Sequence, residues 1–251
     1  MQLVLCSSND VSALWAYQGL RRKGLDDVRL ISSEMLGYGL RWIHRVGSNG
    51  ATVDITLADG QKIRDDSVDG VLNRLPAAPS DLLMVAPNDR EYAVAEYTAF
   101  FMSWLYALPG PVLNRPTPQG LSGWWRHISE WASLASRAGL PTPVYRQSSY
   151  DHIYGPSEKC TQSGGMSLFS AGTSTKNVIV VGNNVTGDQA PQNIIEGSQR
   201  LSELSGTELL GIEYVISPSN IWEFSAATPL PDLRKGGEML LDALASAFKR
   251  G

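Results

Sequence analysis

Residues 209–234 read LLGIEYVISPSNIWEFSAATPLPDLR, and two apolar runs in this stretch are separated by a short polar segment. The runs at 209–216 and 221–227 are rich in branched and aromatic residues, which is typical of buried β-strands. Two prolines then break the pattern before a glycine pair, and a final helix is predicted over 236–251. Two strands that lead into a helix indicate a mixed α/β structure.

The rest of the chain shows the same alternation. Short apolar runs predict strands, and longer amphipathic stretches predict helices. The predicted strands are 2–6, 28–32, 40–46, 51–57, 68–75, 111–118 and 177–182, and the other predicted helices are 10–24, 88–108, 128–139 and 189–205. Ser48, Asn49 and Gly50 form a turn that predicts a hairpin between two of these strands. The predicted fold class is therefore α/β, with some hairpins.

The helix predicted over 88–108 is supported by its ends and by its pattern. Asn88 can cap its N-terminus, and Glu91 stands at the reciprocal position of a capping box. An apolar stripe at helical spacing runs along it, formed by Val94, Tyr97, Phe101, Trp104, Leu105 and Leu108. We expect this stripe to face the core or a dimer interface rather than a cofactor.

A proline-punctuated segment at 111–118 marks the predicted domain boundary. It divides the chain into an N-terminal α/β domain, 1–115, and a second domain, 116–251. Residues 147–176 are polar and rich in Ser, Gly and Thr, which predicts a loop or a frayed hairpin.

Composition excludes several classes of protein. The chain has 251 residues and a net charge of −4, which argues against a nucleic-acid binder and against a basic membrane-surface protein. No apolar segment reaches 18 residues, so no membrane span is predicted. Two cysteines, Cys6 and Cys160, imply no disulfide framework, and a cytoplasmic location is expected.

Short catalytic motifs do not assign a function. The sequence contains no P-loop, no dinucleotide-binding glycine pattern, no paired-cysteine motif and no nucleophile elbow. His44, His127 and His152 lie far apart, whereas metal sites need clustered ligands.

The order of the predicted elements resembles the ATP-grasp family, which includes glutathione synthetase and peptide-modifying ligases of the microviridin type. VDGVLNRL (68–75), DREYAVAEYTAFFMSWL (89–105) and LPGPVLNRPTP (108–118) are similar to the family's N-terminal domain and its linker. GLPTPVYR (139–146) is similar to the start of the nucleotide-binding part, and KNVIVVGNNV (176–185) and 209–234 are similar to its late strands. The resemblance implies an N-terminal α/β domain followed by a shortened ATP-grasp-like domain.

This resemblance implies ATP-dependent chemistry, in which an acyl phosphate forms on a carboxylate and an amine or hydroxyl then attacks it. In the family, Mg²⁺ is held by an acidic residue in a Gly-(hydrophobic)-Asp/Glu strand and by a Glu-x-Asn pair in the next strand. Glu213, which ends the sequence GIE at 211–213, matches the first ligand. When Pro229 is aligned with the family's proline, Ala226 occupies the Glu position and Thr228 the Asn position.

Glu223 has the opposite strand parity to residues 226 and 228. We expect it to point away from Glu213, since only a bulge would bring it to the same face. The implied metal site is therefore reduced to one acidic residue, Glu213. The alternative for Glu213 is a polar residue at a strand end that faces solvent or a basic neighbour such as Arg234.

The family also grips nucleotide phosphates with lysines on early strands, and the interval 144–178 is too short to show those strands. The implied cofactor-binding candidates in this chain are Lys159, Lys176 and Arg234. A glycine pair at 164–165 is a candidate phosphate-covering loop, and a surface loop is the alternative.

Three functions stay open at this stage. The first is an ATP-grasp-like accessory or binding subunit with a degenerate nucleotide site, which has a peptide or protein partner and no tightly bound cofactor. The second is an active carboxylate–amine ligase that uses ATP and Mg²⁺ and is completed by a partner subunit. The third is a small-molecule binding protein unrelated to ATP. A homodimer, or a contact with a different partner protein, through 88–108 or through Trp124 and Trp125 is also expected.

Overall fold

The computed structural model describes residues 1–48, 50–145, 174–217 and 220–249. Within them, the helices are α1 Val11–Arg22, α2 Ser33–Gly37, α3 Arg90–Ala107, α4 Ile128–Arg137, α5 Gln192–Ser205 and α6 Gly237–Phe248. The strands are β1 Gln2–Cys6, β2 Val28–Ser32, β3 Arg41–Gly47, β4 Gly50–Thr56, β5 Lys62–Arg64, β6 Gly70–Arg74, β7 Val112–Leu113, β8 Ser174–Val181, β9 Asn184–Gly187, β10 Leu209–Ile216 and β11 Trp222–Thr228. The predicted α/β class is confirmed, and α2, β5 and β9 are elements that the sequence did not predict. None of the described helices has the length and hydropathy that a bilayer span requires.

Four strands form a parallel sheet in the order β2-β1-β6-β7. β1 lies inside it, where Val4 pairs with Leu30 on one side and with Leu72 on the other. Leu3 and Leu5 belong to a core that includes α3, whereas Val4 belongs to a core that includes α1 and α6. Both faces of the sheet are covered, which explains why β1 is apolar at successive positions.

The second sheet is antiparallel, in the order β3-β4-β5, and α3 packs on one of its faces. Phe101 and Trp104 on α3 are fully buried, and Tyr97 is 7% exposed. Their rings meet edge to face, with centroids 4.9 Å apart for Tyr97 and Phe101 and 5.9 Å apart for Phe101 and Trp104. Of the two places expected for the aromatic stripe, the structure puts these rings in the core.

The start of α3 differs from the prediction. Pro87–Asp89 form a 3₁₀ turn, Asp89 takes the N-cap position, and no side chain caps the helix. Asn88 lies within that turn, so the capping box predicted between Asn88 and Glu91 is wrong. Pro87 favours the turn because its fixed φ suits the first position of a helical turn.

The third sheet is antiparallel, in the order β11-β10-β8-β9. The strands predicted at 177–182, 209–216 and 221–227 therefore lie in one sheet. One face packs against α4 and α5 through a core that includes Tyr214 and Phe224. The other face packs, at one end, against α6 through Ile179 and Leu209.

A buried asparagine, Asn114, joins the parallel sheet to the four-stranded antiparallel sheet, and a second, Asn73, holds Asn114. The side chain of Asn114 donates from Nδ2 to the carbonyl oxygens of Leu209 (2.9 Å) and Pro229 (3.2 Å), and its Oδ1 accepts from the Leu209 N–H (2.8 Å). Asn73 donates from Nδ2 to the carbonyl oxygens of Asn114 (3.0 Å) and Leu121 (2.7 Å). Asn73 is fully buried and Asn114 is 3% exposed, so these bonds satisfy groups that water cannot reach.

The strands of the parallel sheet and of the three-stranded sheet all lie before residue 115. The strands of the four-stranded antiparallel sheet lie after residue 173. The chain nevertheless returns to the parallel sheet, because α6 packs in one core with α1 and β1. The domain boundary near residue 115 stays a prediction.

Replacement of Asn114 by alanine should destabilise the protein by about 2–4 kcal/mol, because it leaves buried backbone groups of Leu209 and Pro229 without partners. Urea denaturation followed by circular dichroism measures this change in the free energy of unfolding. Asn184→Ala is the matched control at an exposed position and should change stability by less than about 0.5 kcal/mol. An equal effect of the two substitutions would contradict the role assigned to Asn114.

Candidate functional site

Glu213, the metal ligand predicted from the sequence, lies on one face of the four-stranded antiparallel sheet. Glu213 on β10 pairs with Asn177 on β8 and with Ala226 on β11. Residues that pair directly across antiparallel strands point to the same side, so these three side chains share a face. We call it the Glu213 face, and Glu213 is half-buried on it.

A β-bulge interrupts the pairing of β10 with β11 beside Glu213. Glu213 pairs with Ala226, whereas the next residue, Tyr214, pairs with Phe224. Ser225 is therefore an extra residue in β11, and side-chain parity changes at this point of the strand.

The bulge brings a second carboxylate to the Glu213 face. Glu223 pairs with Val215, which lies two residues from Glu213 and so on the same side of β10. The expectation that Glu223 points away from Glu213 is therefore wrong, because it assumed an unbroken strand. Glu223 is half-buried, as Glu213 is.

The sequence contained a signal for this arrangement. Glu223, Phe224 and Ser225 have the Glu-x-Asn spacing of the family, with serine in the third position. Alignment on Pro229 instead selected residues 226 and 228, which lie three positions further along the strand. Ser225 is fully buried, and its Oγ has no hydrogen-bond partner among the described residues.

A lysine that sequence analysis did not select reaches the Glu213 face. Lys235 donates from Nζ to Oδ1 of Asn177 (2.9 Å), and Asn177 pairs with Glu213. The backbone N–H of Asn177 donates to Oδ2 of Asp188 (2.7 Å). Burial raises the pKa of Asp188, but this bond and the amine of Lys176 outweigh burial, and the net pKa is below its ordinary value. Asp188 is therefore ionised and holds the start of β8.

Lys176 lies on the opposite side of the sheet from Glu213. It pairs with Tyr214, whose side chain lies in the core against α5. The Nζ of Lys176 donates to Oδ1 of Asp188 (3.0 Å). With Ile216 and Trp222 it lines a cavity of about 510 Å³. The structure thus does not bring Lys176 together with Glu213, and Lys159 lies outside the described residues.

Arg234, the third cofactor-binding candidate, is engaged by a carboxylate. Its guanidinium donates from Nε and Nη2 to the two oxygens of Asp232, at 2.9 and 2.7 Å. Ser12 on α1 donates to Oδ1 of Asp232 (3.3 Å) and accepts from the N–H of Leu233 (2.6 Å). Residues 229–236, which follow β11, are therefore tied to α1.

A buried ion pair holds the same segment from the parallel sheet. Arg74 is 6% exposed and ends β6, and it donates from Nε to Oδ2 of Asp10 (2.7 Å). Its Nη1 donates to the carbonyl oxygen of Pro231 (2.9 Å). A buried guanidinium is costly unless its donors are satisfied, and here a carboxylate and a carbonyl satisfy it.

The Glu213 face suits a hard cation in part. Mg²⁺ prefers carboxylate and amide oxygens, and Glu213 and Glu223 provide carboxylates on one face. Among the described residues, no group of three or more His, Cys, Asp or Glu side chains lies close enough to hold a metal. Two protein carboxylates fit a cation whose other ligands are water or phosphate oxygens.

Comparison with solved structures identifies the fold. The chain is similar to the macrocyclase MdnC from Microcystis aeruginosa MRC, bound with precursor peptide MdnA, with a TM-score of 0.72 and 14% identity over 100% of this chain and 99% of that chain. It is similar to the ATP-grasp ligase PsnB complexed with minimal precursor, Mg and ADP, with a TM-score of 0.70 and 15% identity over 99% and 98% of the two chains.

A third similar structure is a RiPP-associated ATP-grasp ligase from Chryseobacterium gregarium in complex with ADP and a leader and core peptide. Its TM-score is 0.67, with 11% identity over 98% of this chain and 96% of that chain. The chain thus has an ATP-grasp fold and resembles peptide-modifying ligases along its whole length. No protein-family model and no curated protein matches the sequence.

The Asp232 carboxylate should make stability depend on acid pH. Its hydrogen bonds from Arg234, the largest cause, lower its pKa from 3.8 to about 2. The folded pKa is below the unfolded pKa, so this stabilisation is complete above about pH 4 and is lost as the pH falls through about 2. Asp232→Asn should therefore lower stability at neutral pH and reduce the loss between pH 4 and pH 2.

Urea denaturation at a series of pH values measures this dependence. Asp26→Asn, at an exposed position, is the matched control and should follow the unsubstituted protein. If Asp232→Asn lost as much stability as the control across this pH range, the role of the Asp232–Arg234 pair would be refuted.

Proposed function

We propose that this chain is an ATP-grasp-fold protein that binds a peptide or protein partner in a peptide-modification pathway and has a weakened nucleotide and magnesium site. The peptide role is supported by the similar structures, in which MdnC is bound with a precursor peptide and PsnB is complexed with a minimal precursor. Sequence identities of 14% and 15% support only a shared fold, so the peptide partner is inferred by analogy.

The weakened nucleotide site is inferred from the ion pairs that the candidate cations, Lys176 and Arg234, already form with carboxylates. Lys176 is ion-paired with Asp188 at 3.0 Å and lies on the other side of the sheet from Glu213. Arg234 is held by both oxygens of Asp232. Phosphate groups need cations that are free to turn toward them, and these two would first have to leave their carboxylates.

The methyl group opposite Glu213 supports the same proposal. Ala226 pairs directly with Glu213 and supplies neither a charge nor a metal oxygen. Any Mg²⁺ on this face would be held by Glu213 and Glu223, and it would supply charge neutralisation to a bound phosphate. Without a phosphate ligand, two protein carboxylates would hold Mg²⁺ weakly.

The second candidate function is an active carboxylate–amine ligase. It is favoured by the bulge at Ser225, which places Glu223 on the Glu213 face, and by Lys235, whose amine lies beside Asn177. In that function Glu213 and Glu223 would hold Mg²⁺, and Lys235 would hold a nucleotide phosphate. The reaction would join a carboxylate to an amine or hydroxyl, with ATP as the activating reagent.

Binding of Mg·ATP separates the two candidates. With a Kd of about 1 mM or weaker, 1 mM Mg·ATP would stabilise the folded protein by about 0.4 kcal/mol or less. We therefore expect a negligible shift of the melting temperature and no resolved heat in isothermal titration calorimetry at micromolar protein. We expect Glu213→Gln and Glu223→Gln to change neither result.

Release of ADP is the second readout, measured with the unsubstituted protein and an acidic test peptide. We expect no release above the background of ATP hydrolysis. Micromolar binding of Mg·ATP that is lost in both Glu213→Gln and Glu223→Gln, while Glu196→Gln on α5 leaves it unchanged, would overturn the weakened-site proposal in favour of the ligase.

A further inference from the structure

β3 is an edge of the three-stranded sheet, and no described strand pairs with its outer side. It is the terminal strand in the order β3-β4-β5, and it pairs with β4 along all seven of its residues, from Arg41 to Gly47. Most of the strand is exposed, and the side chain of Val46 is 74% exposed. An edge strand leaves the backbone N–H and C=O groups of its outer side unpaired, which makes it a template for another extended chain.

The solvent face of this sheet is positively charged. Side chains alternate along each strand, so the register assigns to this face the residues of β3, β4 and β5 that do not contact α3. Besides Gly47 and Gly50, which have no side chain, they are Arg41, Ile43, Arg45, Thr52, Asp54, Thr56, Lys62 and Arg64. Four of these eight described residues are cations and one is a carboxylate, although the whole chain has a net charge of −4.

These cations are largely free of counter-ions. Arg41, Arg45 and Lys62 are exposed and form no ion pair with any described residue, and Arg64 pairs with Asp66 at 2.7 Å. Such free cations raise the local positive potential, which attracts anionic groups.

The spacing along β3 sets the chemistry of a partner strand. Arg41, Ile43 and Arg45 place a cation, an apolar side chain and a cation on the solvent face, about 7 Å from one to the next. A strand added beside β3 would lie about 4.8 Å away and would present its own side chains to this face at the same interval. A partner strand with acidic, apolar and acidic residues at alternate positions would therefore place them beside Arg41, Ile43 and Arg45.

We propose that β3 docks an extended peptide segment, with the pattern acidic-x-apolar-x-acidic, as a fourth strand of this sheet. Its backbone would pair with the free edge of β3, and its acidic side chains would lie beside Arg41 and Arg45. The intervening residues would face the α3 side, where His44 lies against Phe100 with ring centroids 5.7 Å apart. This inference rests on the proposed function, because it locates the peptide-binding surface.

Arginines on an edge strand also have a protective use, since like charges keep two edges of the same protein apart. That alternative predicts self-association of the protein when the charges are removed and no affinity for acidic peptides. The docking proposal predicts affinity that depends on the order of residues in the peptide, so an experiment separates them.

The test uses the full chain without nucleotide and a fluorescein-labelled peptide with the core glutamate, threonine, valine, threonine, glutamate. The matched control peptide has the same composition in the order threonine, glutamate, valine, glutamate, threonine, which puts the valine and the glutamates on opposite faces. Fluorescence anisotropy should give at least tenfold tighter binding of the first peptide, weakened when NaCl rises from about 0.05 M to about 0.5 M.

Arg41→Gln/Arg45→Gln should weaken binding of the first peptide at least tenfold, whereas Arg21→Gln/Arg137→Gln, with the same change of charge, should leave it unchanged. Hydrogen exchange should show new protection of the β3 amides when the peptide binds. Equal binding of the two peptides, no binding, or self-association of Arg41→Gln/Arg45→Gln without loss of peptide affinity would each overturn the docking site.

A failure here is distinguishable from a failure of the proposed function. Peptide binding that persists in Arg41→Gln/Arg45→Gln and protects amides outside β3 would refute this docking site alone. The weakened nucleotide site is measured separately, by calorimetry with Mg·ATP and no peptide.

Discussion

The contact between Asn114 and the backbone of Leu209 is the constraint on which the rest of the structure depends. Asn114 follows β7 of the parallel sheet, and Leu209 is the first residue of β10. Two hydrogen bonds between the Asn114 side chain and the Leu209 backbone fix where β10 starts, and a third, to the Pro229 carbonyl oxygen, holds the chain after β11. Glu213 lies four residues further along β10. Arg74 fixes the chain after β11 through the carbonyl oxygen of Pro231. The Glu213 face is thus positioned from the parallel sheet by buried polar groups, whose loss has a high free-energy cost.

Most of the fold could be predicted from the sequence because it follows from apolar periodicity. The strands 209–216 and 221–227 and the core stripe of α3 are long, regular patterns that local chemistry determines. The elements that were missed are short. β9 has four residues and β5 has three, and their strand structure depends on pairing with β8 and β4 rather than on their own composition. The cap of α3 was misplaced because Pro87 starts a 3₁₀ turn that includes Asn88.

The candidate site could be predicted only in part, for a related reason. Glu213 followed from a local motif, but the position of Glu223 depends on one extra residue in β11, which only the pairing with β10 reveals. The contacts of Lys176 with Asp188 and of Lys235 with Asn177 are set by tertiary structure. Asp232 is close to Arg234 in sequence, yet nothing in the sequence indicated that the Arg234 guanidinium would donate to both carboxylate oxygens of Asp232. The candidate site therefore combines two carboxylates on one face with cations that mostly contact other side chains, and this combination is the basis of the proposed weak nucleotide site.

The bulge at Ser225 places Glu213 and Glu223 on the same face of the sheet, and the candidate site depends on this arrangement. Cd²⁺ binding by Glu213→Cys/Glu223→Cys tests it most directly, in a background with Cys160→Ser, because two thiolates on one face can share a soft metal. The ultraviolet absorption of the Cd–thiolate bond reports binding, and the two single cysteine variants are the controls. We predict one Cd²⁺ per chain with at least tenfold higher affinity in the double variant than in either single variant. Affinity no higher than that of the single variants would contradict the account.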